Sequence, residues 1–146
     1  MKIRVLLVDD EESFVESLAA RLETRGLVVE KAYNGDDALD RLREDDYDVV
    51  VLDMMMPGKD GIDTLNDIKR IRPLVEVILL TGFGALEKAV ESLQRGAFYY
   101  LMKPTDMKDL LENIVNAYKR KIEHEERIRR AEIKRIEALL RNDPID

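Results

Sequence analysis

Apolar residues recur through the first hundred positions in two alternating rhythms. Short runs such as Ile3-Arg4-Val5-Leu6-Leu7-Val8 and Val49-Val50-Val51-Leu52 are apolar almost without interruption, and longer stretches between them repeat apolar positions three and four apart. The first such stretch places Phe14, Val15, Leu18, Ala19 and Leu22 on one helix face, and Gly26 ends it. The pattern predicts strands over residues 3–8, 27–32, 48–53, 75–80 and 98–101, with helices over 11–25, 35–44, 61–70, 86–95 and from 105 onward. Strands this continuously apolar belong in a parallel sheet covered by helices on both faces. The expected fold is therefore α/β, a doubly wound five-stranded parallel sheet, which gathers its ligands at the carboxyl ends of the strands.

After the fifth strand the alternation stops. Met107, Leu110, Leu111, Ile114, Val115, Tyr118, Ile122, Ile128, Ile133, Ile136, Leu139 and Leu140 fall within an arc of roughly 140° at 100° per residue. No Gly or Pro intervenes before Pro144, so one long helix is expected, about 50 Å from end to end and reaching past the edge of a domain of this size. The reading divides the chain into a domain over residues 1–120 and a helical extension over 121–146, a possible coiled coil.

Composition narrows the chemistry. A chain of 146 residues, 45% hydrophobic and 38% charged, has room for one domain and one extra element. Cysteine is absent and His124 is the only histidine, which excludes disulfides, thiolate chemistry and histidine metal clusters. Net charge is −7, and residues 119–146 carry nine Lys and Arg against seven Asp and Glu, so the acidity lies in the body. An acidic body argues against nucleic-acid binding, and the sign-alternating tail reads as a solvated helix. No apolar run approaches the ~20 residues of a membrane span and no cleavable leader is evident, so a cytoplasmic location is expected.

Asp9 and Asp10 follow the first strand and Asp53 ends the third, which brings three acids to one rim. Like charges at close range resist ionisation unless a cation compensates them, and oxygen ligands select a hard ion, Mg²⁺ or Mn²⁺. Asp9-Asp10 alone fits equally well as an acidic helix N-terminus. Thr81 ends the fourth strand and Lys103, before Pro104, ends the fifth. Lys103 alone reads as a surface residue, but acids, hydroxyl and ammonium on one rim are what phosphoryl transfer to a carboxylate requires.

Val8-Asp9-Asp10-Glu11, Asp53-Met54-Met55-Met56-Pro57-Gly58-Lys59-Asp60-Gly61, Leu80-Thr81-Gly82 and Tyr100-Leu101-Met102-Lys103-Pro104 stand in this order and spacing. Over about residues 2–120 the chain resembles the receiver domains of response regulators, typified by the chemotaxis response regulator. Residues 75–100 are nearest to receivers of nitrogen-regulator-type activators. The resemblance implies a flavodoxin-like strand order 2-1-3-4-5. It also implies Asp53 as phosphoacceptor for a sensor histidine kinase, and Asp9, Asp10, Asp53 and the Met55 carbonyl as metal ligands. Thr81 and Lys103 would hold the phosphoryl group, with a cis peptide joining Lys103 to Pro104. Tyr100 reads on its own as a half-buried edge aromatic; the resemblance makes it, with Thr81, the conformational switch, while Tyr99 falls on the opposite strand face. Met55 and Phe83 stand where this family tunes dephosphorylation.

Two rivals use the same residues. A phospho-aspartate hydrolase would place a second acid two positions after Asp53, where Met55 stands, and a docking module without chemistry would not need every acid, hydroxyl and amine retained. Expected partners are the kinase and a second copy of the chain through the C-terminal helix. The motifs leave open the cognate kinase, the output, and whether this is a stand-alone regulator or the N-terminal piece of a longer protein.

Overall fold

The computed structural model describes residues 2–82 and 84–141. Five parallel strands alternate with five helices: β1 (Arg4–Val8), α1 (Glu12–Thr24), β2 (Val28–Ala32), α2 (Gly35–Glu44), β3 (Val49–Asp53), α3 (Gly61–Ile71), β4 (Glu76–Thr81), α4 (Leu86–Gln94), β5 (Tyr99–Met102) and α5 (Met107–Arg141). The sheet order is β2-β1-β3-β4-β5, the order that the resemblance to receiver domains implies. Element bounds differ from the sequence reading by one or two residues. The largest difference is that α5 begins at Met107, because Asp106 caps it, accepting from the Lys108 N–H at 3.1 Å, and β4 runs on by one residue to include Thr81.

The continuous apolar runs divide residue by residue between two cores, because successive strand side chains point to opposite faces. Leu6, Val8, Val50, Leu52, Val77 and Leu79 pack beneath α2 and α3. Val5, Leu7, Val49, Val51, Ile78 and Leu80 pack against α1 and the first third of α5. Local chemistry starts the helices that flank the rim. Asn34 accepts the Asp37 N–H at 2.8 Å to begin α2, and Asp60 accepts the Ile62 N–H at 3.1 Å to begin α3. Gly61 stands where a Cβ would lie 2.9 Å from the Met54 backbone, so the turn after β3 can close against the strand only with glycine there.

At the opposite end of the sheet lies a charge cluster that the apolar reading of the fourth strand misses. The Glu76 side chain is 1% exposed, 3.6 Å from Lys69 and paired with Arg120, whose guanidinium lies 4.7 Å from the Phe98 ring centroid. Burial, together with the nearby Arg120 charge, pushes the Lys69 ammonium below its ordinary value, against the pull of Glu76. Next along the helix, Lys121 reaches Asp48 at 3.0 Å, and Asp48 also accepts the Arg4 N–H at 2.8 Å. Arg120 and Lys121 thus clamp α5 to the basal rim at the point where the helix leaves the domain. Beyond it Ile128, Ile133, Ile136, Leu139 and Leu140 are exposed.

The cluster carries a stability prediction. Glu76→Ala removes the acid from two cations that are themselves partly open to water, and is expected to cost about 1–3 kcal/mol of unfolding free energy. Urea titration measures this; an unchanged midpoint would show that the cations lose nothing when the carboxylate goes.

Candidate functional site

Register brings the singled-out residues to one rim. Asp53 pairs with Leu80, which puts Thr81 one residue further along β4, and Thr81 pairs with Met102. The Lys103 N–H then donates to the Thr81 carbonyl at 2.8 Å, tying the residue after β5 to the end of β4. Across the rim, Asp9 follows β1 directly and its N–H donates to the Ala32 carbonyl at 3.2 Å. The peptide between Lys103 and Pro104 is cis.

Asp9 and Asp53 are buried while Asp10 is exposed, and each of the three offers a carboxylate oxygen within 4.8 Å of the others. Two desolvated carboxylates and a third beside them, with no nitrogen or sulfur donor, form a donor set that fits a hard divalent cation. Burial pushes the Asp53 carboxyl above the ordinary carboxylate value; the Met55 N–H, donating to Oδ1 at 3.1 Å, opposes this, as does Lys103, while the Asp9 and Asp10 charges add to it. Lys103 reaches the Asp9 Oδ2 at 2.6 Å and the Asp53 Oδ2 at 3.8 Å. Burial acts against its charge, but the hydrogen bond to Asp9 and the charges of Asp53, Asp9 and Glu11 outweigh it and hold the ammonium above its ordinary value.

Thr81 is fully buried, its hydroxyl donating to the Gly82 carbonyl at 3.3 Å. The Met55 side chain beside Asp53 is 57% exposed. Phe83 lies outside the described residues. Tyr100 is partly buried against the α2/α3 core. Tyr99 does not stand apart from it as strand alternation predicts: the two rings stack, with centroids 5.4 Å apart and planes at 30°. The strand β5 is the sheet edge, where no further strand occupies the outer side, so both rings can fold around it. Phe14 packs on the α1/α5 core as its spacing predicts, and its ring also lies beneath the Lys103 ammonium, 4.5 Å from Nζ to the centroid. An aromatic in the first turn of the helix after Asp9-Asp10 was the only signal.

Residues 5–115 match the family model described as the response regulator receiver domain. The chain belongs to this family. Receiver domains are signalling modules of two-component systems. The transcriptional regulatory protein ZraR of Salmonella typhimurium is 42% identical over 116 residues, which cover 80% of this chain and 26% of ZraR. The chain spans about a quarter of the length of such curated relatives. A response regulator receiver domain protein from Clostridium thermocellum superposes with a TM-score of 0.79 at 39% identity, covering 82% of this chain and 96% of that one. NtrX from Brucella abortus superposes with a TM-score of 0.81 at 29% identity, covering 86% of this chain and 29% of NtrX. No helix among the described residues is long and apolar enough to cross a membrane.

Proposed function

We propose that this receiver takes a phosphoryl group on Asp53 from a sensor histidine kinase, in a reaction that depends on Mg²⁺ or Mn²⁺, and switches conformation in response. The observation that carries this reading is the placement of a buried Asp53, Asp9 and Lys103 within ion-pair distance on one rim. Asp53 Oδ1 is engaged by the Met55 N–H, which leaves Oδ2, the oxygen nearer Lys103, as the nucleophile. A bond forms from Oδ2 to phosphorus as the bond from phosphorus to the donor's nitrogen breaks. Asp9, Asp10, Asp53 and the Met55 carbonyl would hold the cation, which supplies charge neutralisation to the transferring group. Lys103 neutralises a phosphoryl oxygen, and its 2.6 Å contact with Asp9 keeps it at the rim in the free protein.

Switching falls to Thr81 and Tyr100. On phosphorylation the buried hydroxyl of Thr81 exchanges the Gly82 carbonyl for a phosphoryl oxygen, and Tyr100 moves into the space it leaves. Stacking on Tyr99 carries that movement to the sheet edge. Phosphorylation shifts the two states only by its differential contacts with them, so these are the residues that set the size of the response. The chain catalyses its own phosphorylation and dephosphorylation and no other reaction. Incubation with a small phosphodonor and Mg²⁺ followed by intact mass tests the reading: one added phosphate supports it, and none overturns it.

The same reading implies a long-lived phosphoryl group, because Met55 cannot orient a hydrolytic water and Phe83 has no polar group to do so. Met55→Asn with Phe83→Glu is expected to speed phosphate loss severalfold, read as the decay of the phosphorylated mass. An unchanged half-life would show that these positions do not control water.

We further propose that the chain forms a homodimer through the extension of α5. The half of the helix beyond the Arg120–Lys121 clamp exposes Ile128, Ile133, Ile136, Leu139 and Leu140, and a second copy of the same helix is the surface that fits them. Glu125, Arg129 and Glu132 interrupt the stripe, so the pairing is an imperfect coiled coil, open to rearrangement on phosphorylation.

A further inference from the structure

We propose that Phe14 is a positioning residue for Lys103, its ring face holding the ammonium within reach of Asp53 without neutralising it. The inference rests on the reading of Asp53 and Lys103 given above. A lysine is a point charge on a flexible four-carbon stem, and beside three carboxylates it has several places to go. In the free protein its closest partner is Asp9 at 2.6 Å, with Asp53 at 3.8 Å. An acid beneath Lys103 would anchor it more strongly but would cancel the charge that the phosphoryl oxygens need. An aromatic ring attracts the cation through its quadrupole and leaves the charge in place, an interaction that strengthens where water is restricted. The Lys103 side chain is 20% exposed.

The ring is itself fixed relative to the site. Phe14 is the third residue of α1, and α1 starts from a turn in which the Glu11 N–H donates to the Asp9 Oδ1 at 3.0 Å and the Val15 N–H donates to the Glu11 carbonyl at 3.0 Å. The first turn that carries the ring is therefore tied to Asp9. The ring packs on the α1/α5 core and lines the same narrow cleft as Asp9 and Asp53. Three contacts, to Asp9, Asp53 and Phe14, then define the Nζ position. When Asp9 turns to a bound cation, the ring is the one contact that carries no charge to be diverted.

Phe14→Leu and Phe14→Met keep an apolar filling and remove the ring, so that failure of one to fold leaves the other, and Phe14→Tyr restores the ring. Two readouts test the idea. In carbon–proton correlation spectra of the free protein, the Lys103 ε-methylene signal, assigned by its loss in Lys103→Met, is expected upfield in the parent and in Phe14→Tyr. It should move toward the ordinary lysine position in the Leu and Met variants. Phosphorylation by a small donor with Mg²⁺ is expected to slow about three- to tenfold in those two variants and to recover in Phe14→Tyr. In a Lys103→Met background the Phe14 changes should have no further effect. An unshifted lysine signal, or a loss of rate that persists without Lys103, overturns the proposal. If the parent itself takes no phosphate, the phosphoacceptor reading fails, while the spectra still decide whether the ring holds the lysine.

Discussion

Asp53→Asn is expected to abolish phosphate uptake from small donors and from the kinase while making the unmodified protein more stable at neutral pH. The loss follows because the amide has no carboxylate oxygen to attack phosphorus, and Asp9 and Asp10 are the acids left at the rim, placed to hold a cation. The gain in stability follows from the sign of the Asp53 shift. Burial and the neighbouring acids raise its folded-state value above the ordinary 3.8. Between the two values the native chain binds more protons than the unfolded chain, so stability is lost as pH rises through that window and stays lost above it. Asn carries no such penalty. Urea titrations at neutral pH should therefore give a higher midpoint for Asp53→Asn, the difference closing as pH falls toward 3.8. Mg²⁺ should raise the midpoint of the parent more than that of the variant, since the variant has lost one charged ligand. Residual phosphate on the variant, or a lower midpoint at neutral pH, would contradict the assignment.

A chain ending at Glu125 is expected to sediment as a monomer, where the full chain of 16.9 kDa sediments at twice its mass. The position of the cut matters. Ending the chain before Arg120 would strip Glu76 and Asp48 of their partners on α5 and confound dissociation with unfolding. Ending it at Glu125 retains both ion pairs and the contact of Lys121 with Glu125, so the urea midpoint of the isolated domain measured at low protein concentration should be unchanged. Ile136→Glu in the full chain tests the same stripe without removing anything. It places a charge in each copy where the proposed dimer would bury an apolar side chain, and is expected to weaken association on the order of tenfold or more. The competing arrangement is a lone helix held by pairs such as Glu126 with Arg129 and Arg130, each worth about 0.2–0.5 kcal/mol. Equal monomeric masses for the full and shortened chains would establish it.

The alternation of apolar strands with amphipathic helices was legible from the sequence because burial on two faces leaves a pattern that needs no partner to be named. Val49 to Leu52 is apolar at every position since each side chain enters one of two cores, and that is a local fact about a central strand. The acids and Lys103 were legible for a related reason: parallel strands deliver their carboxyl ends to one rim, so being last in a strand is enough to place a residue there. The long helix declared itself through period alone.

What periodicity reports is which face of an element is apolar, and it does not say which residue that face will meet. Glu76 interrupts an otherwise apolar strand and was invisible as a buried ion because its partner Arg120 is 44 residues away on a helix read as solvated from there on. The same limit hid Phe14. Its spacing fits the core stripe of α1, where the ring does pack, and only the fold that carries the lysine after β5 across the rim puts Lys103 over that ring. Tyr99 and Tyr100 were separated by strand alternation and reunited by the open edge of β5. The contact between Lys103 and Asp9 joins residues 94 apart, and its length depends on the register of four strands at once. The sequence determined which groups reach the rim; the tertiary structure decided which of them touch, because those distances are set by helix packing and sheet register acting on chain segments far apart.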